Sequence, residues 1–198
     1  NGVVRRLRDL GARGVRGNHD AAAVGGSEID WFNPDARQAM EWTRQVLEPD
    51  AETWLAALPD RTAIGEAELV HGSLRQPLWE YVTSPAIARD SLDRLKQPLG
   101  LHGHTHVPIA WHEAEDGLEG TLGGDGERFG FEDRRSLVNP GSVGQPRDGD
   151  PRASYLLLDT DARLVTWHRV PYDIEAVQQA MRAVALPRAL VARLSVGL

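Results

Sequence analysis

Apolar positions recur with two different periods along this 198-residue chain. In the first half the spacing is mostly helical. Val3, Leu7 and Leu10 stand four and three apart and predict a helix over 2–10, closed by Gly11. A short strand through Val15 is expected next, running into Gly17-Asn18-His19-Asp20. Asn33-Pro34 has the chemistry of a helix start, and that helix should run to about Leu47. Pro49-Asp50 opens a shorter helix through Trp54 and Leu58, and residues 67–71 read as a strand ending on His71. Ser84-Pro85 caps a third helix through Ile87, Leu92 and Leu95. The texture then turns to β, with short strands expected at 99–102, 107–112, 127–131, 136–138, 153–158 and 164–169. The glycine-rich stretch 117–126 reads as a loop between them. Asp173 caps a last long helix carrying Ile174, Val177 and Met181 on one face, Leu186-Pro187 breaks it, and a final turn ends near Gly197. Helices and strands alternate early and strands dominate later. This predicts an α/β fold, a mixed sheet or two packed sheets with helices outside, in a single domain over 1–198.

Composition narrows the chemistry. Hydrophobic residues make up 41% and charged residues 26%, ordinary values for a soluble globular chain, and no apolar run is long enough to span a bilayer. The net charge of −7 argues against a general polyanion-binding surface, so nucleic acid is not the expected partner. There is no cysteine, hence neither disulfide nor thiolate ligand. A bound metal would have nitrogen and oxygen ligands, which suits manganese, iron, zinc or magnesium. Residue 1 is asparagine and not methionine, so the expectation of a cytoplasmic protein rests on a sequence whose natural start is not in view.

Four polar clusters follow apolar strands: Gly17-Asn18-His19-Asp20, His71-Gly72-Ser73, Gly103-His104-Thr105-His106 and Asn139-Pro140-Gly141-Ser142. Strand ends on one edge of an open α/β sheet are the usual place for ligands. In extended backbone His104 and His106 would point to the same face and reach one site; the bland alternative is two surface histidines on a turn. Asn18 could offer an amide oxygen to a hard cation, or simply occupy a turn. Asp20 could orient His19, or cap the alanine-rich helix that follows. Asn139-Pro140-Gly141-Ser142 has type II turn chemistry. Arg147 could clamp a phosphate with two parallel hydrogen bonds, or pair at the surface with Asp148 or Asp150. His102 and His168 read as structural, and His112 as a strand-end surface residue.

The order G-N-H-D, strand-end H-G, then G-H-T-H resembles the later signature motifs of the calcineurin-like metallophosphoesterases. NPGSVGQPRD over 139–148 and the tail after Tyr172 are similar to a narrower branch, the small prokaryotic phosphoesterases of the archaeal MJ type. The resemblance implies a four-layer α/β/β/α sandwich and hydrolysis of phosphoric esters by a hydroxide activated between two divalent metal ions. Manganese is the first choice, with iron, zinc, nickel or magnesium as alternatives. It also implies that Asn18, His71 and His104 bind one metal and His106 the other, and that His19, oriented by Asp20, is catalytic. The substrate would be a small phosphate ester or a phosphoprotein.

The family also opens with D-x-H and G-D-x-x-D, and neither occurs here in the required place. Helix 2–10 then corresponds to the helix that follows those motifs. The expectation is a chain lacking an N-terminal β-α-β unit of ~30 residues or more, and therefore inactive and poorly behaved alone. Two other readings of the same fold are a non-catalytic protein-interaction module and a nuclease. Loss of ligands scattered over all motifs would favour the first, and salt-dependent DNA binding the second.

Overall fold

The computed structural model describes all residues except 116 and 133, and only the backbone of 27 and 28. The chain runs α1 (Gly2–Asp9), α2 (Asn18–Ala23), a 3-10 turn (Ser27–Trp31), α3 (Pro34–Val46), α4 (Pro49–Ala56), β1 (Arg61–Ile64), β2 (Ala67–Val70) and α5 (Pro85–Arg94). It continues as β3 (Leu99–Leu101), β4 (Ile109–Ala114), β5 (Gly117–Leu122), β6 (Arg128–Gly130), β7 (Ser136–Asn139), β8 (Ala153–Asp159) and β9 (Leu164–Val170). Helices α6 (Ile174–Ala183) and α7 (Arg188–Ala192) and a 3-10 turn close it.

Helix starts follow local chemistry closely. The side chains of Asn33, Ser84 and Asp173 accept hydrogen bonds from the amides of Ala36, Ile87 and Ala176, as helix caps do. Pro34, Pro49 and Pro85 occupy first-turn positions where no amide donor is needed. None of the described helices is long and apolar enough to cross a membrane.

The strands form a six-stranded sheet of order β1-β2-β3-β7-β4-β5 and a three-stranded sheet of order β6-β9-β8. In the larger sheet β2, β3 and β7 are mutually parallel, so their carboxyl ends lie on one edge. The two sheets enclose the main core, where Leu99 and Val138 of the large sheet meet Phe129, Val165 and Trp167 of the small one. The outer face of the large sheet carries Val70, Trp111 and Leu137 against Ala88 and Leu92 of α5. A smaller cluster of Ala22, Ala23 and Met40 locks α2 onto α3. The architecture is the mixed α/β class expected from the residue pattern.

Several local expectations give way. Residues 12–17 join no strand ladder; Arg16 makes only a single backbone bond there, to the carbonyl of Pro59. Within the glycine-rich stretch lies β5, paired along its length with β4. Its Gly120 faces Trp111, whose ring would stand 2.8 Å from an added Cβ, so this glycine makes room for an indole and does not break the strand. His112 is buried inside β4 and bonded to Thr121 Oγ1 at 3.1 Å, because β4 starts and ends two residues later than its apolar pattern suggests.

Candidate metal and phosphate site

Three of the four polar clusters leave the carboxyl ends of the parallel strands. His71 follows β2, the 102–106 segment follows β3, and Asn139 ends β7. Asn18 enters from outside the sheet as the first residue of α2. Its Oδ1 stands 3.0 Å from His71 Nε2, which is itself 2.9 Å from His104 Nδ1. Asn18 and His104 are buried and His71 nearly so. Gly17 allows this approach. A Cβ there would lie 2.9 Å from His71 Nδ1 and 3.0 Å from Cε1, inside contact distance of the ring.

The backbone between the two later histidines is not extended. His104 and His106 both have left-handed conformations, with φ of 64° and 61°. They reach the cleft through a tight turn and not through the same-face alternation of a strand. Each left-handed non-glycine residue costs about 1–3 kcal/mol, so the turn must be held from outside. Asn139 does this. Fully buried, it donates from Nδ2 to the carbonyl of Gly103 (2.8 Å) and to Thr105 Oγ1 (3.0 Å), and its Oδ1 accepts from the amide of Gly141 (2.8 Å). Its own carbonyl accepts from Trp167 Nε1 at 2.9 Å. Gly141, at φ 84°, supplies the left-handed position expected in the turn.

Partners fix the ring tautomers. The carbonyl of Trp79 lies 3.1 Å from His104 Nε2 and can only accept, so the proton sits on Nε2 and Nδ1 keeps its lone pair. The carbonyl of Gln145 lies 2.7 Å from His106 Nδ1, which leaves the lone pair on Nε2. Burial, reinforced by the charge of neighbouring histidines, lowers His71 to about 3. Burial lowers His104 and His106 to about 4, partly opposed by the Trp79 and Gln145 carbonyls and aided by Arg147. All three are therefore neutral imidazoles near pH 7, the form that binds metals.

The donor set fits a divalent cation. Two ligands about 2.1 Å from one ion and at right angles to it stand about 3 Å apart, the separation found among these donors. Among the described residues no three His, Cys, Asp or Glu side chains converge on one point; the third donor beside His71 and His104 is the amide of Asn18. His106 makes no direct contact with these atoms in the hydrogen-bond network, although its charge is felt at His71.

His19, Asp20 and Arg147 border the cluster. The ring of His19 lies on Phe32, with centroids 4.5 Å apart. His19 is exposed at the surface, yet partial enclosure by the protein is the largest influence and lowers its pKa. Asp20 opposes this and Arg147 adds to it. Asp20 is not the N-cap of α2: that position is Gly17, and Asp20 sits three residues on with Oδ2 accepting from the Gly17 amide at 2.8 Å. Its influence on His19 is electrostatic, through space. Burial raises its own pKa, against the pull of the Gly17 amide, His19 and Arg16.

Asp148 and Asp150 pair with Arg169 and Arg152 and not with Arg147. Arg147 bonds instead through Nη2 to Gln145 Oε1 at 3.1 Å, and its buried Nε has no partner among the described residues. Sequence reasoning passed over Asn139 as a plain turn residue and did not consider Trp79 or Tyr81. Tyr81 stacks on His104 at 3.7 Å. Aromatic density just after a strand-end histidine was the available signal.

Comparison with known proteins gives the family. The pattern of the calcineurin-like phosphoesterase superfamily domain matches residues 2–163. The chain belongs to that superfamily. The calcineurin-like fold is shared with a crystal structure of a metallophosphoesterase from Sphaerobacter thermophilus, 43% identical, with a TM-score of 0.89 over 98% of this chain and 81% of that one. An uncharacterised protein of Methanocaldococcus jannaschii, MJ0912, is 33% identical over all of this chain and 80% of its own length. A hypothetical protein of Pyrococcus horikoshii, PH1004, shares the fold at 18% identity, with a TM-score of 0.75 over all of this chain and 78% of that one. The chain is thus related to proteins of prokaryotes, as the resemblance implied.

Proposed function

We propose that the protein hydrolyses phosphoric esters with divalent metal held by Asn18, His71 and His104, with His106 serving a second ion. The convergence of Asn18 Oδ1, His71 Nε2 and His104 Nδ1 on one point carries this reading. When bound, the metal supplies Lewis acidity toward the phosphoryl oxygens and toward water. Manganese is the first metal to test, given a set of imidazole and amide-oxygen donors.

The chain's own residues do the rest. Arg147 offers guanidinium hydrogens to the phosphate, and among the described residues its Nε has no hydrogen-bond partner. His19 holds or gives the proton that the leaving oxygen needs. In the protein alone its pKa is lowered, so near neutral pH it is largely unprotonated. A phosphate beside it adds negative charge and raises the pKa again, which couples protonation of His19 to substrate binding. A small ester is the preferred substrate class, because Arg147 and His19 stand near the histidines at the sheet edge.

Elemental analysis and hydrolysis of p-nitrophenyl phosphate and its bis-ester, on the full-length protein and its His71→Ala and His104→Ala variants, test the assignment. Each variant should hold less metal and need more manganese for activity. Unchanged occupancy in both would show that the metal lies elsewhere.

A further inference from the structure

One feature at the cleft is left unused by metal binding or proton transfer. Trp31 is 73% exposed, yet it is not isolated. Its ring lies 5.0 Å from that of Trp79, Trp79 lies 6.0 Å from Phe32, and Phe32 lies 4.5 Å from His19. The rings thus form a continuous wall from the proton-carrying histidine to the open surface. The two middle rings are held in place. Phe32 packs on the Ala22–Met40 cluster, and the Trp79 carbonyl holds His104. Tyr81, 44% exposed and stacked on His104, gives the cleft a second aromatic surface.

We propose that the alcohol part of the natural ester is planar and aromatic, a nucleobase-bearing or aryl group, and that Trp31 with Trp79 is its stacking platform. This rests on the phosphoester reading above. An ester oxygen protonated by His19 carries its organic group past Phe32, the ring lying on that imidazole, toward the indoles beyond. A saturated sugar or peptide side chain gains little from such a wall. A planar group gains stacking, which depends on a π-face and tolerates different ring identities. An exposed indole whose ring neighbour Trp79 leads back to the site is placed for that use, and Arg147, whose charge is felt at His19, attracts the anionic end of the molecule to that histidine.

The test compares esters matched in phosphate and leaving-group type. Adenosine 5′-monophosphate is paired with ribose 5-phosphate, and benzyl phosphate with cyclohexylmethyl phosphate. The aromatic member should show a KM about ten-fold lower. Trp31→Ala should bring the kcat/KM ratio of each pair close to one, and Trp31→Phe should restore most of it. A separation in the nucleotide pair alone identifies a base, and in the benzyl pair alone an aryl group. Independently of turnover, the indole N–H resonance of Trp31 should shift on titration with adenosine, which carries no phosphate. If none of the esters is hydrolysed, the phosphoester reading fails while this titration still decides the platform. Equal ratios in wild type and Trp31→Ala, or a Trp31 resonance indifferent to adenosine because another surface covers it, overturns the proposal.

Discussion

Truncating Asn139 to alanine should damage the site from a residue that touches neither metal nor substrate. The side chain is fully buried and makes three hydrogen bonds, to the Gly103 carbonyl, Thr105 Oγ1 and the Gly141 amide. Each is worth about 1 kcal/mol net, and a buried partner left without replacement costs about 1–3 kcal/mol. The Gly103 carbonyl and Gly141 amide lose these bonds together, so Asn139→Ala should lower unfolding free energy by about 3–5 kcal/mol. Thr105→Val removes one of these bonds together with the 3.3 Å bond from the Val107 amide to Thr105 Oγ1, and should cost about 1–2 kcal/mol. The released segment is the one that holds His104 and His106 in left-handed backbone. Freed, both residues should relax toward ordinary conformations, and metal affinity should fall about 10–100-fold, the range for groups that orient ligands. Guanidinium denaturation gives the first quantity and metal titration of the still-folded variant gives the second. A loss under 1 kcal/mol with affinity within two-fold of wild type would refute the view that Asn139 sustains the turn.

Gly17→Ala should push the His71 ring away from Asn18, because the new methyl would sit 2.9 Å from His71 Nδ1. Metal affinity should drop while the backbone, already at an ordinary φ of −97°, remains unstrained; a titration matching wild type would show that the ring has room to move. His19→Ala should lower kcat by about 10²–10⁴ with metal content close to wild type, and parallel loss of metal and activity would make His19 a ligand instead. In metal-free protein the buried His102 and His104, lowered to about 3 and about 4, stay neutral in the fold while the unfolded chain takes up protons below pH 6.5. Their contribution to stability is full above that pH and is lost as pH falls toward the folded values, by about 1–3 kcal/mol per pH unit for the pair. Equal unfolding free energies at pH 7 and pH 5 would contradict this.

Much of the frame could be read from the chain, and the reasons differ by element. Helix starts were legible because Asn33, Ser84 and Asp173 act locally, bonding amides three residues on. Three of the four polar clusters were legible because each follows an apolar strand, and parallel strands bring such ends to one edge. What stayed hidden depends on contacts distant in sequence. The role of Asn139 lies in partners 34 and 36 residues earlier, which turn chemistry does not reveal. The meaning of Gly120 depends on Trp111 across a strand pair. The left-handed backbone of His104 and His106 is imposed by that same distant asparagine, so spacing alone suggested an extended segment.

The charge of the site also runs against the charge of the chain. For a protein of net charge −7 to take up a phosphate ester, as proposed, carboxylates near the site must be engaged by other groups. Here the acidic groups nearest Arg147 in sequence are already engaged. Asp148 pairs with the buried Arg169, whose Nε also lies 3.8 Å from Asp150, while Arg152 binds Asp150 at 2.7 Å and Asp125 at 2.9 Å. Among the described residues Arg147 has no carboxylate partner, and the imidazoles around it are held neutral by burial. A cation bound by His71 and His104 would therefore meet neutral donors and, close by, a guanidinium. An entering phosphate compensates both positive groups at once. Binding of metal and of substrate should consequently reinforce one another, because each relieves a repulsion that the other alone would leave in place.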